Sequence, residues 1–254
     1  MQLYQRPATL GRESMLLTLT WAAGNIDAIS YFGLGHVFTA MMTGNTVLLG
    51  LALAQGEVLA ALRSILALMG FSVGVFVGAT IVERESQPPD WPHVVTHALA
   101  VETALLAIFT ATSFLTGDAR AAGVTYFLIF LLALAMGIQS AAVRRLGVPG
   151  IATTYITGTL TSLMVDLLGW LRSIAAHLPA ARVNGSDQRS SPIPWEQRVG
   201  LLAGVVGLYG FGAFVGGVLE NHSSRLAPLL PLAMVMLVVV NALTRQRPNV
   251  RFRS

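Results

Sequence analysis

The chain contains no cysteine, no lysine and few charges of either sign. The lack of cysteine excludes disulfides, thiolate nucleophiles and thiolate metal sites. Charged residues make up only 11% of the chain, which is low for a soluble domain. With no lysine, all 16 basic residues are arginine. They do not form the basic face with interleaved aromatic residues that nucleic-acid binding requires, so we expect no nucleic-acid partner.

What the chain has instead is apolar sequence. Hydrophobic residues make up 54% of it, and the mean hydropathy is +0.66. A membrane helix needs about 20 mostly apolar residues, whereas a barrel strand shows about 10 residues with strict alternation. Such alternating segments are absent from the sequence. We therefore predict an all-α, polytopic membrane helical bundle, with residues 1–254 forming one integral membrane domain.

Charges and clusters of proline and glycine divide the apolar sequence into about eight spans, within a range of six to eight. The two short spans of the predicted hairpins have an alternative interpretation, as half-helices that re-enter the membrane. The predicted spans are 14–33, 37–54, 65–82, 97–115, 123–143, 150–171, 199–219 and 226–243.

The arginines predict the orientation, because cytoplasmic loops are enriched in positive charge. With both termini in the cytoplasm and eight crossings, most arginines fall inside, and the expected location is the inner membrane. Arg144 and Arg145 disagree with this arrangement. Either they lie on an outer rim, or the fifth and sixth segments do not both cross. The arginines predicted outside are Arg84, Arg144, Arg145 and Arg225.

Short blocks of sequence recur in the same order, which indicates an internal repeat of residues 14–116 and 123–244. GNIDA at Gly24 corresponds to GIQSA at Gly137, MTGNT at Met42 to ITGTL at Ile156, and GVFVGA to GAFVGG. Units with an even number of crossings are expected to be parallel, and we expect this to hold if the hairpins re-enter. Residues 172–198 read as a flexible cytoplasmic loop.

Asp27 is the main candidate functional residue, because a carboxylate at membrane depth costs several kcal/mol on most scales. If residues 33–35 form a tight turn, Asp27 lies level with Thr43, and Asn25 with Asn45, about 9 Å below the helix ends. The site hypothesis is a polar pocket between the two helices. The alternative is that the hydroxyls bond to their own helix carbonyls and glycines only permit close packing.

In the site hypothesis, Asp27 either binds and releases a proton, or stays ionised and pairs with a cation or with an arginine such as Arg144. The second hairpin has Gln139 and Ser140 where the first has Ile26 and Asp27, so the site is acidic on one side. The predicted substrate-binding residues are Asp27, Asn25, Tyr31, Thr43, Asn45, Gln139, Ser140 and Thr157.

Other features predict packing rather than chemistry. Glycines at four-residue spacing indicate close helix contact within a membrane. Glu102 is a second candidate acid, either buried or extended to the membrane interface. The histidines lack metal-ligand spacing, and no nucleophile–base pair or cofactor loop is visible, so we expect no metal, no cofactor and no enzyme. The predicted packing glycines are Gly70, Gly74, Gly78, Gly212 and Gly216.

GNIDAISYFGLGHVFTAMMTGNTVLLGLAL and AMGIQSAAVRRLGVPGIATTYITGTLTSLMVDL together carry a family resemblance. They resemble the YoaK-like family of bacterial integral membrane proteins of unknown function. The resemblance implies a bacterial inner-membrane location and no established activity. The residues themselves favour a small-molecule or ion transporter, with a non-transporting scaffold or sensor as the alternative. The expected partners are the lipid bilayer and a small solute or ion, with homo-oligomerisation left open.

Overall fold

The described part of the chain is entirely helical. A computed structural model describes residues 11–83, 91–117, 120–147, 156–176 and 195–246, and no strand occurs within these ranges. The prediction of an all-α bundle is confirmed. The helices are α1 (Arg12–Gly33), α2 (Met42–Gln55), α3 (Val58–Val82), α4 (His93–Thr116), α5 (Ala122–Arg145), α6 (Ile156–Ala176), α7 (Trp195–Ser223) and α8 (Leu229–Gln246).

Five helices are long and apolar enough to span a membrane: α3, α4, α5, α7 and α8. They expose large apolar side chains on their outer surfaces, including Leu115, which is 85% exposed, and Phe76, which is 72% exposed. An exposed apolar surface of this extent is typical of a lipid-facing surface. α1 is less apolar, but it lies in the centre of the bundle, where its residues from Met15 to Ser30 are almost all buried.

The contacts of helix ends define two faces of the bundle. At the terminal face, Arg12 at the start of α1 donates a hydrogen bond to the carbonyl of Leu146, just after α5. Gln246 at the end of α8 reaches the start of α4 at the same face. At the distal face, Gly33 at the end of α1 lies with Arg120, which precedes α5. α1 and α5 therefore run in opposite directions.

Two helix pairs are packed so closely that only glycine fits at the contact. A Cβ added at Gly70 would lie 2.6 Å from the Phe130 carbonyl, and one at Gly78 would lie 2.8 Å from the Ala141 Cβ. α3 therefore runs parallel to α5. In the same way Gly204 lies against Leu17, and Gly216 against Asn25, so α7 runs parallel to α1. Because glycine has no side chain, the two helix backbones approach closely and gain van der Waals contacts.

These directions show that α2 does not cross the membrane. α1 ends at the distal face, and α3, being parallel to α5, begins there. Arg63 of α3 donates a 3.3 Å hydrogen bond to the Gly35 carbonyl, which joins the two ends directly. α2 has 14 residues, or about 21 Å of helix, and is too short to span. The predicted crossing at 37–54 is wrong, and its re-entrant alternative is correct.

α6 likewise does not connect the two faces. α5 ends there, and α7 begins there because it is parallel to α1. Leu163 of α6 packs with Leu201 and Leu202 of α7, and Asp166 pairs with Arg198 at 3.0 Å. α6 thus runs antiparallel to the first half of α7, and the prediction of a full crossing at 150–171 is wrong. Residues 148–155 and 177–194, including most of the predicted loop, lie outside the described residues.

Six helices run from one face to the other, namely α1, α3, α4, α5, α7 and α8, and their directions correct two further predictions. Arg144 and Arg145 lie on the same face as the start of α1, because α2 does not cross, whereas Arg63 and Arg120 lie on the distal face. The expected parallel arrangement of the two units is also wrong. The prediction assumed that each hairpin crosses twice or not at all. In the structure α1 crosses and α2 does not, so the first unit crosses three times, with α1, α3 and α4. The second unit also crosses three times, with α5, α7 and α8.

Cysteine labelling distinguishes this topology from eight crossings, because the chain contains no native cysteine. Gln55, Asn221 and Arg144 are all exposed. We expect a membrane-impermeant maleimide to label Gln55→Cys and Asn221→Cys from one side and Arg144→Cys from the other. Eight crossings would place Gln55 opposite Asn221, and Arg144 with Asn221. Labelling of Arg144→Cys and Asn221→Cys from the same side would contradict the re-entrant fold.

Candidate functional site

The site forms where the chain between α1 and α2 turns back into the bundle. Gly35 and His36 have positive φ values of 89° and 61°, which reverse the chain at the distal face. The chain then runs inward, burying Leu34, Val37 and Ala40. We call residues 34–41 the re-entrant segment. It carries the start of α2 into the interior, and because the segment is not helical, its own backbone N–H groups need acceptors there.

Asp27 provides the acceptor for these groups. Its side chain is 3% exposed, and its Oδ1 accepts hydrogen bonds from the backbone N–H of Thr39 at 2.8 Å and of Ala40 at 2.7 Å. The Tyr209 hydroxyl of α7 donates to Oδ2. A carboxylate at the N-terminal end of a helix is also favoured by the helix dipole. Asp27 therefore joins α1, the re-entrant segment and α7 at one point.

Asn45 closes the turn into α2. Its Oδ1 accepts a 3.0 Å hydrogen bond from the Phe38 N–H, and its Nδ2 donates to the Phe38 carbonyl. The Thr39 hydroxyl lies 3.4 Å from the Ser30 hydroxyl of α1. Tyr31 stacks on Phe38, with ring centroids 5.1 Å apart. These contacts seat the re-entrant segment against α1 without a regular helix pair.

This junction lies near the middle of the bundle. Asp27 is six residues, or about 9 Å, from the end of α1 at Gly33. Tyr209 is the central residue of α7. α2 starts at this depth and returns to the distal face, so it is a half-helix with its N-terminus at mid-depth. Discontinuous helices of this kind form the binding sites of many transporters.

The structure brings together only some of the predicted site residues. Asp27, Asn25, Asn45 and Gln139 are buried, whereas Thr43 and Thr157 are exposed and Tyr31 and Ser140 are half-buried. Asp27 lies level with Thr39 and Ala40 rather than with Thr43, because the chain runs without helix as far as Met41.

The predicted pocket between two hairpins is absent from the described residues, since α2 packs on α3 and α6 on α7. α2 and α6 share no contact there, and neither packs along the helix that precedes it. The prediction failed because it assumed that each hairpin consists of two full-length helices packed antiparallel along each other.

Sequence reasoning missed Tyr209, the only side-chain partner of Asp27 among the described residues. A usable signal was present, because Tyr209 precedes Gly212 by three residues, as Phe71 precedes Gly74 in the related block. The second unit therefore has a hydroxyl where the first has only a phenyl ring. α1 and α7 are in close contact at this point, because a Cβ added at Gly24 would overlap the Tyr209 backbone. This contact brings the Tyr209 hydroxyl to the Asp27 carboxylate.

Other polar groups lie in the interior away from this junction. Glu102 of α4 is 0% exposed, so the alternative in which it extends to the interface is wrong. Gln139 donates a long 3.4 Å hydrogen bond to the Leu19 carbonyl of α1. Asn25 is also 0% exposed. Within the described ranges, no three acidic or histidine side chains are grouped as a metal site requires.

A cleft of about 740 Å³ opens at the distal face, between the ends of the crossing helices. Its charged and polar lining includes Arg120, Glu220, His222 and Arg225. A smaller cavity of about 10 Å³ continues from it toward Ser113, between α1, α4, α7 and the start of α8. The cleft is large enough for a small solute, which is the size range of typical ligand sites.

Comparison with known proteins places the chain in a family. Residues 15–242 match the family model described as "Protein of unknown function (DUF1275)". The chain is 44% identical over 160 residues to the UPF0700 transmembrane protein YoaK of Bacillus subtilis (strain 168), covering 63% of this chain and 69% of that protein. No solved structure matches. The resemblance seen in the sequence is confirmed, and the chain belongs to the DUF1275 family of transmembrane proteins.

Proposed function

We propose that this protein is a small-molecule or ion transporter of the bacterial inner membrane. The observation that carries the proposal is that α2 and α6 lie at opposite faces without crossing, and that the 14-residue α2 begins at mid-depth beside a buried carboxylate. A re-entrant half-helix leaves backbone polar groups at mid-membrane. Such groups are tolerated where they are buried in protein or line a cavity.

An inverted internal repeat supports the proposal. In the first unit α3 packs on α5 of the second, and in the second unit α7 packs on α1 of the first. The glycines at these contacts, Gly74 and Gly212, belong to the matching sequence blocks. Corresponding helices run in opposite directions, which is the arrangement of inverted-topology transporters. In such proteins the rocking of one unit against the other opens the site to each face in turn.

The cytoplasmic location of both termini follows in this proposal from the described arginines. Cytoplasmic faces are enriched in arginine. The terminal face carries Arg12, Arg144, Arg145, Arg172, Arg198 and Arg245, whereas the distal face carries Arg63, Arg120 and Arg225. The terminal face is then cytoplasmic, and the cleft opens away from the cytoplasm. We therefore take this conformation to be outward-open.

The cleft is the proposed entry site for the solute. Arg120 and Arg225 outnumber the single acid Glu220 in its lining, which favours a solute with an anionic group. Asp27 has a different role from the one expected from the sequence. It holds the re-entrant segment on α1 and α7, and so controls the position of α2.

A ligand screen followed by an uptake assay tests this function. We expect at least one member of a panel of amino acids, carboxylates, sugars, nucleosides, polyamines and inorganic ions to raise the melting temperature of the purified protein. A ligand at 100 times its Kd stabilises by about 2.7 kcal/mol. The radiolabelled form of that compound should then enter proteoliposomes.

Variants of the cleft make the uptake assay specific. Arg120→Ala should raise the KM for uptake by roughly 10- to 100-fold, because a hydrogen bond to a charged group contributes roughly 1.5–3 kcal/mol. Gly210→Ala, which has no neighbouring atom within 4 Å of the added Cβ, is the matched control and should transport normally. If no panel member stabilises the protein and none enters liposomes, the scaffold or sensor alternative is favoured.

A further inference from the structure

Glu102 is a buried acid that has no hydrogen-bond partner in the part of the chain that the structure describes. It lies within α4, nine residues or about 13 Å beyond the start of the helix at His93. Its side chain is 0% exposed, and neither carboxyl oxygen has a hydrogen-bond partner among the described residues. Asp27 differs in this respect, because backbone N–H groups and a hydroxyl stabilise its charge.

The surroundings of Glu102 favour its neutral form. α4 packs on α3, α5 and α8. Their buried side-chain groups are apolar or small, apart from Ser64 of α3, Gln139 of α5 and the amide oxygen of Asn241 on α8. An ionised carboxylate in such surroundings costs several kcal/mol, so the group takes up a proton instead. The ionisable residues of these helices lie within six residues of a helix end, and they are Arg63, Tyr126, Arg144, Arg145 and Arg245.

A second unpartnered polar side chain, Ser113, lies on the face of α4 that carries Glu102, at the end nearer the cleft. Ser113 is eleven residues further along α4, and at 100° per residue it lies on the same face, about 16 Å away. Its hydroxyl has no partner within the described chain, and it lines the small cavity beneath the cleft. Leu106 and Phe109 occupy the same face between them and are 2% and 3% exposed.

Asn25 of α1 lies at an intermediate depth. It is one helical turn, or about 6 Å, deeper than Ile29, which lines the same small cavity. Both its amide nitrogen and its amide oxygen lack partners in the described ranges. Unpaired buried groups of this kind are where ordered water enters a protein interior. Water can reach Glu102 from the small cavity only if the helices around Leu106 and Phe109 separate, since these two side chains fill the space between.

We propose that Glu102 is the proton-binding site of this protein and that it couples solute transport to proton movement. Glu102 holds a proton on its carboxyl group in the closed core. When the core opens, the O–H bond breaks, the electron pair stays on the carboxylate, and the proton passes to water. The coupling role depends on the proposed transport function, whereas proton binding by Glu102 does not.

Infrared spectroscopy of the protein in liposomes tests the proton directly. We expect the carbonyl band of a protonated carboxylic acid at pH 7 in the wild type, and its loss in Glu102→Gln. Glu102→Leu, which suits the apolar surroundings, should lose the same band and serves if the glutamine variant does not fold. Asp27→Asn should retain it. A band of equal size in the wild type and in both Glu102 variants would overturn the proposal.

Exchange with heavy water separates a working proton site from a permanently buried acid. After transfer of the wild type to ²H₂O, the band should move to lower frequency as the proton exchanges through the opened core. A band that stays unshifted for hours would show that Glu102 never meets water and would overturn the proposal. Neither infrared result depends on finding a transported solute.

The coupling is tested in proteoliposomes that contain the pH indicator pyranine. Addition of the panel compounds should change the internal pH for wild-type protein, and Glu102→Gln should abolish this change while still exchanging labelled solute. Solute uptake without any pH change would refute coupling and leave transport intact. The absence of uptake with a wild-type infrared band that exchanges would refute transport and leave proton binding intact.

Discussion

Gly212→Ala is expected to lower the free energy of unfolding by about 3 kcal/mol, at the upper end of the usual range for overpacking. A Cβ at this position would lie 3.0 Å from the Trp21 carbonyl carbon and 3.2 Å from the Asn25 nitrogen, and closer still to the Trp21 oxygen. These are backbone atoms of α1 and cannot rotate away. α7 must therefore separate from α1. Thermal melting in detergent measures the loss, at about 2–4 °C for each kcal/mol.

The same helix supplies the matched control. Gly210 lies two residues away, and a Cβ there meets no atom within 4 Å. Gly210→Ala should leave stability unchanged or raise it by up to about 1 kcal/mol, because alanine is the better helix former. Gly74→Ala should match Gly212→Ala, since its Cβ would meet the Leu134 backbone in the same way. Equal stability of Gly210→Ala and Gly212→Ala would show that close packing of α1 and α7 is not needed.

Asp27→Ala should destabilise the protein by roughly 3–5 kcal/mol. It leaves the N–H groups of Thr39 and Ala40 and the hydroxyl of Tyr209 buried without their acceptor. An unpaired buried donor costs about 1–3 kcal/mol. Asp27→Asn should lower the free energy of unfolding less than Asp27→Ala, because the amide oxygen of asparagine can still accept hydrogen bonds from the backbone. We expect the re-entrant segment to detach, with faster hydrogen exchange at Thr39 and Ala40 than in the rest of the bundle.

Tyr209→Phe tests whether the hydrogen bond from α7 to Asp27 contributes to stability in addition to the backbone hydrogen bonds that Asp27 accepts. It removes one hydroxyl, and we expect a loss of roughly 1.5–3 kcal/mol, as for a hydrogen bond to a charged group. In a double-mutant cycle with Asp27→Ala, the second substitution should add little, because the two residues share one interaction. Thr43→Ala, on the exposed face of α2, is the control. If Asp27→Ala and Tyr209→Phe lowered the free energy of unfolding no more than Thr43→Ala does, the role of Asp27 as the anchor of α2 would be contradicted.

Sequence periodicity located the helices well but could not show which of them cross. The predicted span at 37–54 and the observed α2 differ chiefly at the start, where eight residues after Gly33 run without helix. An apolar re-entrant segment and an apolar crossing have the same composition, since both are surrounded by lipid and protein. Arg144 and Arg145 provided the one warning, because positive charge follows the cytoplasmic face whatever the assumed number of crossings.

The candidate acids show a similar limit. Their cost at membrane depth identified Asp27 and Glu102 from sequence. Whether an acid is satisfied depends on donors far away in the chain. Tyr209 is 182 residues from Asp27, and local spacing cannot reveal that contact. Asp27 is thus held by donors from the re-entrant segment and α7, whereas neither carboxyl oxygen of Glu102 has a partner among the described residues.

The sequence alone determined that the chain lies in a lipid bilayer and that its fold is helical, because apolar runs of helix length with few charges are stable only in a membrane. It also determined where helices approach closely, since glycine at four-residue spacing leaves a smooth surface on one side of a helix. Only the tertiary structure decided the directions of the helices and the partners of the buried acids. Those depend on how helices distant in sequence pack together, and that packing placed α2 and α6 at opposite faces of the bundle instead of in the expected pair of hairpins.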